Sequence, residues 1–471
     1  MYRRISAHRG PWDMIVIGGG ATGAGIAVDA ASRGYQLLLL EQSDFGKGTS
    51  SRSTKLVHGG VRYLEQGNLS LVMEALKERG LLLQNAPHLV RNLAFVVPAY
   101  DWWESPFYGV GLKLYNLLAG KYGFGDSRIL SRDETLEKLP TINPEGLRGG
   151  VVYYDGQFDD ARLLIDLLQT AAGLGATVLN YARVTALDGH TVRVHDHIAG
   201  SEFEATGKVL INATGAFTDD VRRMAEPQAE PIIAPSQGVH LVFDRSFLAG
   251  DHAIMVPHTS DGRVMFAIPW HDHTVVGTTD TPVTAAELEP VAMEQEVEFI
   301  LQTASLYLAR KPERSDVLSV FAGIRPLVRE GGAGNTAALS RGHTIRLETS
   351  GMLTICGGKW TTYRRMAEDC VNQAAVLAGL PAAPCVTASL RIPPPEAGDP
   401  WLRAVRDEMA ENVEDVLARR TRTLFLNARE AMEQAPAAAN RMAAELSRDA
   451  DWEAAQVAAF RKVAEGYLLT P

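Results

Sequence analysis

The apolar run Met14-Ile-Val-Ile17 opens onto Gly18-Gly-Gly-Ala-Thr-Gly23, small and apolar positions follow over 21–33, and Leu37-Leu-Leu-Leu-Glu41 closes the segment. A strand, a glycine turn, a tightly packed helix and a second buried strand at this spacing form a β-α-β unit of a parallel sheet. Gly18-x-Gly20-x-x-Gly23 lies between strand and helix, and Glu41 ends the next strand. Gly18 permits the tight turn, Gly20 lets backbone approach a pyrophosphate, Gly23 lets helix and sheet pack closely, and Glu41 can accept a hydrogen bond from a ribose hydroxyl. This context predicts a dinucleotide site without separating FAD from NAD.

The stretch Thr49-Ser-Ser-Arg-Ser-Thr-Lys-Leu-Val-His-Gly-Gly-Val-Arg-Tyr63 follows closely and loads the same crevice with hydroxyls and cations. Such a density suits two anionic guests, a cofactor pyrophosphate and a charged substrate. Two remote segments, Asn212-Ala-Thr-Gly215 and Cys356-Gly-Gly-Lys-Trp-Thr-Thr-Tyr363, complete a set that would wrap one elongated cofactor. A glycine pair opening a helix near residue 361 would aim backbone N–H groups at a flavin's pyrimidine edge, where negative charge develops on reduction. This favours FAD.

Residues 69–86 and 159–173 read as helices, and 147–154, 176–185 and 208–215 read as strands, so the cofactor sheet is expected to assemble from separated segments. Residues 238–244, 252–257, 263–269 and 273–279 run or alternate apolar between Pro, Gly and Asp, which predicts an antiparallel sheet, assigned to substrate. From Pro393-Pro-Pro-Glu396 to Asp399-Pro400 the chain is linker-like, and 401–467 carries helical periodicity. The expected fold is α/β plus α+β: a Rossmann-like FAD-binding domain of the glutathione-reductase type (12–90, 151–230, 318–385), an antiparallel-sheet substrate domain (91–150, 231–317) and a small helical C-terminal domain (395–471).

A net charge of −10 argues against nucleic-acid binding, which needs accumulated Lys and Arg. Three cysteines without ligand spacing indicate neither a disulfide framework nor a metal site, and fit a reducing cytoplasm. The first eleven residues lack a signal-peptide core and read as a short tail. No run reaches the roughly 18 apolar residues of a spanning helix, so any membrane contact is expected to be peripheral. Residues Trp102–Tyr122 combine Trp, Tyr, Phe and Lys with aliphatics in the manner of an interfacial helix; an ordinary core helix is the competing reading.

Six blocks in order, Gly18–Gly25, Gly48–Glu65, Tyr153–Arg162, Gly277-Thr-Thr-Asp280, Ala322-Gly-Ile-Arg-Pro-Leu327 and Gly357-Gly-Lys-Trp-Thr-Thr-Tyr-Arg364, resemble the FAD-dependent glycerol-3-phosphate dehydrogenases, within the D-amino-acid-oxidase-like flavoproteins. The resemblance runs from Ile15 to about Met366. It implies oxidation of sn-glycerol 3-phosphate to dihydroxyacetone phosphate by hydride transfer from C2 to a non-covalent FAD, and electron delivery to a membrane quinone. It further implies peripheral attachment at the inner face of the cytoplasmic membrane and the possibility of a homodimer.

Carried onto this sequence, the resemblance implies His240, Arg325 and Lys359 as catalytic residues and Arg62, Tyr63 and Arg341 at the substrate. For FAD it implies Gly18, Gly20, Ala21, Thr22, Gly23 and Glu41; then Thr49, Ser50, Ser51, Ser53, Thr54 and Lys55; then Val184, Ala213, Gly215, Gly323, Gly358, Trp360 and Thr361. The chemistry is consistent: a planar Arg fork suits phosphate, and a histidine with an ordinary pKa near 6.5 suits a base or a hydroxyl-orienting group. His58 is assigned to its own glycine turn rather than to flavin. Two departures stand out. Arg341-Gly342-His343 has glycine where the family commonly shows Asp, and the linker into the C-terminal module is abbreviated, although Val413-Glu-Asp-Val-Leu-Ala-Arg-Arg-Thr-Arg422 retains the family's helix. Competing functions are an O₂-using glycerol-3-phosphate oxidase, a related 2-hydroxyacid or amine oxidoreductase, and a non-enzymatic flavin-binding or RNA-modification assembly protein.

Overall fold

A computed structural model describes residues 1–60, 69–101, 104–257, 259–260, 262–329 and 342–469. The first β-α-β unit forms as expected: strands Met14–Ile17 and Leu37–Leu40 pair in parallel, joined by the helix Ala21–Ser32. Both strands are wholly buried, which is why they read as uninterrupted apolar runs. Around them a six-stranded sheet gathers Thr177–Leu179, Leu210–Asn212 and Leu353–Gly357 in parallel, with His343–Leu347 antiparallel at its edge. Segments more than 300 residues apart thus share one sheet, and the strand ends converge on the Gly18 turn.

One face of this sheet is covered by the helices Ala21–Ser32, Asp160–Gly173 and Tyr363–Leu377. Gly25 makes the first and last of these fit, since a Cβ there would press on Tyr363 and Ala367. The other face is covered by an antiparallel meander, Ala182–Asp188, Thr191–Asp196 and Ser201–Thr206, packing Val184, Val192 and Val194 on Ile15 and Leu38.

A second, ten-stranded sheet is mostly antiparallel. Its longest pairing joins Ile233–Asp244 to Val317–Val328, and Val90–Ala99 pairs along its whole length with Gly149–Phe158. The helix Glu294–Tyr307 packs on one face, while the C-terminal helices bury Val416, Phe425 and Met442 against the other with Phe95, Tyr153 and Phe321.

Three sequence expectations need correction. The run 176–185 is not one strand: Tyr181 adopts φ 54° and splits it into strands that belong to two different sheets. Gly149–Phe158 crosses the expected boundary at 150/151 and belongs to the large sheet. Val317–Val328 likewise pairs in the large sheet, although nearly all of it falls in the segment assigned to the cofactor domain. Continuous apolar runs report burial on both faces, and say nothing about which sheet supplies the neighbours.

Candidate cofactor and substrate cleft

A cleft of about 720 Å³ runs from the Gly18 turn, across the 46–54 loop, to Gly238 and His240 on Ile233–Asp244 and Gly323 and Arg325 on Val317–Val328. That volume is ample for a cofactor with a small substrate beside it. At one end the helix Ala21–Ser32 starts on Gly20 with no side-chain cap, so its first N–H groups and its positive dipole end face the cleft. A Cβ at Gly23 would fall onto the Gly18 carbonyl, so only glycine allows this packing. Glu41 accepts from the backbone N–H of Gly19 at 2.7 Å and of Ser43 at 3.0 Å, which fixes its carboxylate on the cleft wall. Burial pushes that carboxyl up to about 7, against the pull of those backbone donors.

Midway, the Ser50 hydroxyl accepts from Ala21 N–H at 2.9 Å, and the Ser50 carbonyl accepts from Trp360 Nε1 at 2.8 Å. These bonds join the fingerprint, the 49–54 loop and the remote 357–361 segment, while Ala213, Thr214 and Gly215 of the other remote segment line the same cleft. Gly357 and Gly358 have φ of 76° and 73°, a left-handed pair that only glycine adopts without strain. They deliver the chain to Lys359, which starts the 3-10 turn Trp360–Thr362 and then the helix Tyr363–Leu377. The helix start anticipated near residue 361 is therefore present. A helix N-terminus that starts on Gly20 at the cleft, glycines at each close approach and an acidic residue at the ribose position together fit an extended dinucleotide.

At the far end, Arg325 reaches past the neighbouring strand to the 278–280 turn, with Nη2 donating to Thr278 Oγ1 at 3.0 Å and Nη1 3.4 Å from Asp280 Oδ1. Gly238 opposite makes room, because a Cβ there would collide with the guanidinium. Asp280 is itself held by the Ser236 hydroxyl. His240 stacks on Phe321 at 4.9 Å, and its Nε2 lies 2.9 Å from Thr54 Oγ1. Its Nδ1 is buried with no hydrogen-bond partner among the described residues. Burial first, and then the Arg325 and Lys55 cations, push its pKa well below the ordinary 6.5. The imidazole is therefore neutral at physiological pH. We expect its Cε1–H resonance, assigned by its loss in His240→Asn, to hold its neutral position from pH 8 down to pH 6. A midpoint near 6.5 would contradict the buried, cation-flanked environment.

Of the residues expected at the site, His240, Arg325, Lys359, Gly18, Gly20, Ala21, Thr22, Glu41, Thr49, Ser50, Ser53, Thr54, Val184, Ala213, Gly215, Gly323, Gly358, Trp360 and Thr361 line this cleft. Arg62, Tyr63 and Arg341 lie outside the described residues. Lys55 is a correction. Its ammonium is fully buried away from the cleft, 2.8 Å from both oxygens of Asp160 and from the Ser51 carbonyl. Ser51 is buried off the wall as well, and Gly23 acts through packing. Ser53 reaches the wall, but its hydroxyl donates to Asp160 at 2.7 Å. His58 also lines the cleft, and its carbonyl accepts from Thr361 at 3.4 Å. Sequence reasoning missed Lys47, Arg52 and Arg183 on the wall; Lys47 sits between Gly46 and Gly48, Arg52 between Ser51 and Ser53, and Arg183 beside Val184.

A parallel cofactor sheet and a large antiparallel sheet that share the walls of a dinucleotide-type cleft form the scaffold of a flavin-type oxidoreductase. The chain belongs to the FAD dependent oxidoreductase family, whose profile matches residues 13–364, and FAD is its cofactor. Residues 402–454 match a second profile, the C-terminal domain of alpha-glycerophosphate oxidase. The chain is 46% identical over 402 residues to the mitochondrial glycerol-3-phosphate dehydrogenase of Arabidopsis thaliana, covering 81% of this chain and 64% of that one. It is 44% identical over 421 residues to the human mitochondrial glycerol-3-phosphate dehydrogenase, covering 84% and 57%. It thus spans about three fifths of these relatives' length. Among solved structures, the glycerol-3-phosphate dehydrogenase of Bacillus halodurans complexed with FAD superposes with a TM-score of 0.80 at 28% identity, covering 98% of this chain and 95% of that one. The L-alpha-glycerophosphate oxidase of Mycoplasma pneumoniae shares the fold, with a TM-score of 0.61 at 16% identity over 82% of this chain.

Proposed function

We propose that the chain oxidises sn-glycerol 3-phosphate to dihydroxyacetone phosphate and passes the electrons to a membrane quinone. One observation carries the reading: a guanidinium fixed by Thr278 and Asp280 and a neutral imidazole both face one end of the cofactor cleft. The relatives named glycerol-3-phosphate dehydrogenase at 44–46% identity support it.

FAD, when bound, supplies the hydride acceptor. The chain's own residues place the alcohol. Arg325, with Arg62 and Arg341 by resemblance, holds the phosphate, and Tyr63 by resemblance closes the substrate mouth. The Thr54–His240 pair offers a neutral acceptor to the C2 hydroxyl. The forces that keep His240 uncharged also disfavour its keeping that proton, since an imidazolium would sit between Arg325 and Lys55. Its role is to orient the hydroxyl and take its proton in passing, releasing it to solvent because the imidazolium is disfavoured there, while Arg325 and Lys359 stabilise the oxygen.

Turnover with a redox dye tests the substrate. Glycerol 3-phosphate is expected to react, and glycerol and glycine to stay inert; equal rates with glycerol would remove the need for a phosphate clamp. The match to an oxidase C-terminal domain keeps O₂ in view as the acceptor. Reoxidation by a quinone analogue should outpace reoxidation by air.

Peripheral membrane contact is part of the proposal. Among the described residues no helix is long and apolar enough to cross a membrane. The helix Glu104–Ala119 presents Phe107, Val110, Leu114 and Leu117 at helical spacing, each 44% to 77% exposed, beside exposed Leu69 and Met73. Trp102 and Trp103 fall outside the described residues. Such a stripe suits the headgroup boundary. Val110→Glu with Leu117→Glu is expected to weaken vesicle binding by about an order of magnitude, measured by flotation. Unchanged flotation would place the contact elsewhere.

A further inference from the structure

The segment Val413–Arg422 lies far from the glycine fingerprint in sequence, yet it packs against the cofactor loop. Residues Asp415–Arg420 form a π-helical turn, a geometry that recurs at functional sites. Two consecutive residues of this turn reach one carboxylate. Arg420 donates to Asp44 from Nη1 at 2.6 Å and from Nη2 at 2.8 Å, and Arg419 Nε donates to the same group. All three side chains are buried. Burial alone would push the Asp44 carboxyl up; Arg420 and Arg419 more than offset it and hold it below the usual carboxylate range.

Asp44 lies between Glu41, at the ribose position, and Lys47, on the cleft wall. The Lys47 ammonium meets Glu414 at 2.7 Å, and Glu414 accepts from Arg419 Nη1 at 2.8 Å. The links run Asp44–Arg419–Glu414–Lys47, with both ends on the cofactor loop and the middle on the C-terminal module. An isolated surface pair would hold little. A buried, multiply bonded set restricts geometry, because removing one member strands a charge.

We infer that the C-terminal module is a working part of the cofactor site: its π-helical turn holds the 41–48 loop in the shape that receives the dinucleotide, with Asp44 and Glu414 as positioning residues. This rests on the family's cofactor and is independent of the substrate.

The test is FAD titration of the full-length, FAD-free protein, followed by fluorescence quenching, for Glu414→Gln, Lys47→Met and the double variant. Each single change is expected to weaken FAD binding on the order of tenfold, the scale seen when partners that orient binding groups are removed. The double variant is expected to lose no more than the worse single, because both break one link. Asp44→Asn strands two buried arginines and can fail to fold; Glu414, with its side chain 12% exposed, keeps the test open. FAD affinity equal to the parent's in Glu414→Gln overturns the inference. So does a double variant whose losses multiply, or a fall in the unfolding temperature of the FAD-free protein with affinity intact, the mark of a merely structural role.

Discussion

Arg325→Ala is expected to lower kcat/KM for glycerol 3-phosphate by roughly two to three orders of magnitude, while the purified protein stays yellow. The expectation follows from how the guanidinium is placed. Arg325 stands opposite Ser236 in the long pairing of the large sheet, and its fork is aimed by Thr278 and Asp280. Removing it takes away a preset charge and its hydrogen bonds at the substrate end, and leaves the glycine turn, Glu41 and the 357–361 segment untouched. Arg325→Lys should recover only part of the rate, because a point charge lacks the planar fork that meets a phosphate. Steady-state kinetics alongside the flavin spectrum decide it. A folded Arg325→Ala protein that purifies without FAD would move this residue from substrate to cofactor.

Lys55→Met is expected to cost about 3–5 kcal/mol of stability, measured by chemical denaturation of the FAD-free protein. Lys55 and Asp160 are both fully buried, and the ammonium is further enclosed by the rings of Trp270, Phe321 and Phe425 at 4.9–5.2 Å. Without Lys55, Asp160 keeps its bonds from Ser53 and Ala161 but loses its counter-charge. Adding Asp160→Asn to Lys55→Met should therefore restore part of the loss, since the stranded charge is then gone. A Lys55→Met protein as stable as the parent, or a double variant worse than the single, would contradict a buried structural pair.

Lys55 also shows where sequence reading stops. Part of the polar stretch from Thr49, including Thr49, Ser50, Ser53, Thr54 and His58, lines the cleft, because a β-α-β fingerprint fixes where the next loop must run, and residues 61–63 lie outside the described residues. Which of its side chains face the ligand was not legible: Asp160, the partner that draws Lys55 and Ser53 inward, is more than 100 residues away, and no local spacing reveals it. Lys47 and Arg52 differ in outcome for the same reason. Their partners Glu414 and Glu289 come from other parts of the chain and leave both cations on the cleft wall. The helices at 159 and 361 were legible within two residues, since each follows a recognisable start signal and carries a buried stripe. The break at Tyr181 was not, because neither Gly nor Pro marks it. That tyrosine hydrogen-bonds Asp415, so the irregularity belongs to the contact with the C-terminal module.

The central claim is that one cleft holds FAD against a three-carbon phosphate. The most direct measurement is to mix the FAD-loaded protein with sn-glycerol 3-phosphate in the absence of oxygen and follow absorbance at roughly 450 nm, where oxidised flavin absorbs. Rapid bleaching, with one dihydroxyacetone phosphate formed per flavin, is the predicted result. A flavin that dithionite bleaches but glycerol 3-phosphate leaves oxidised would contradict the account.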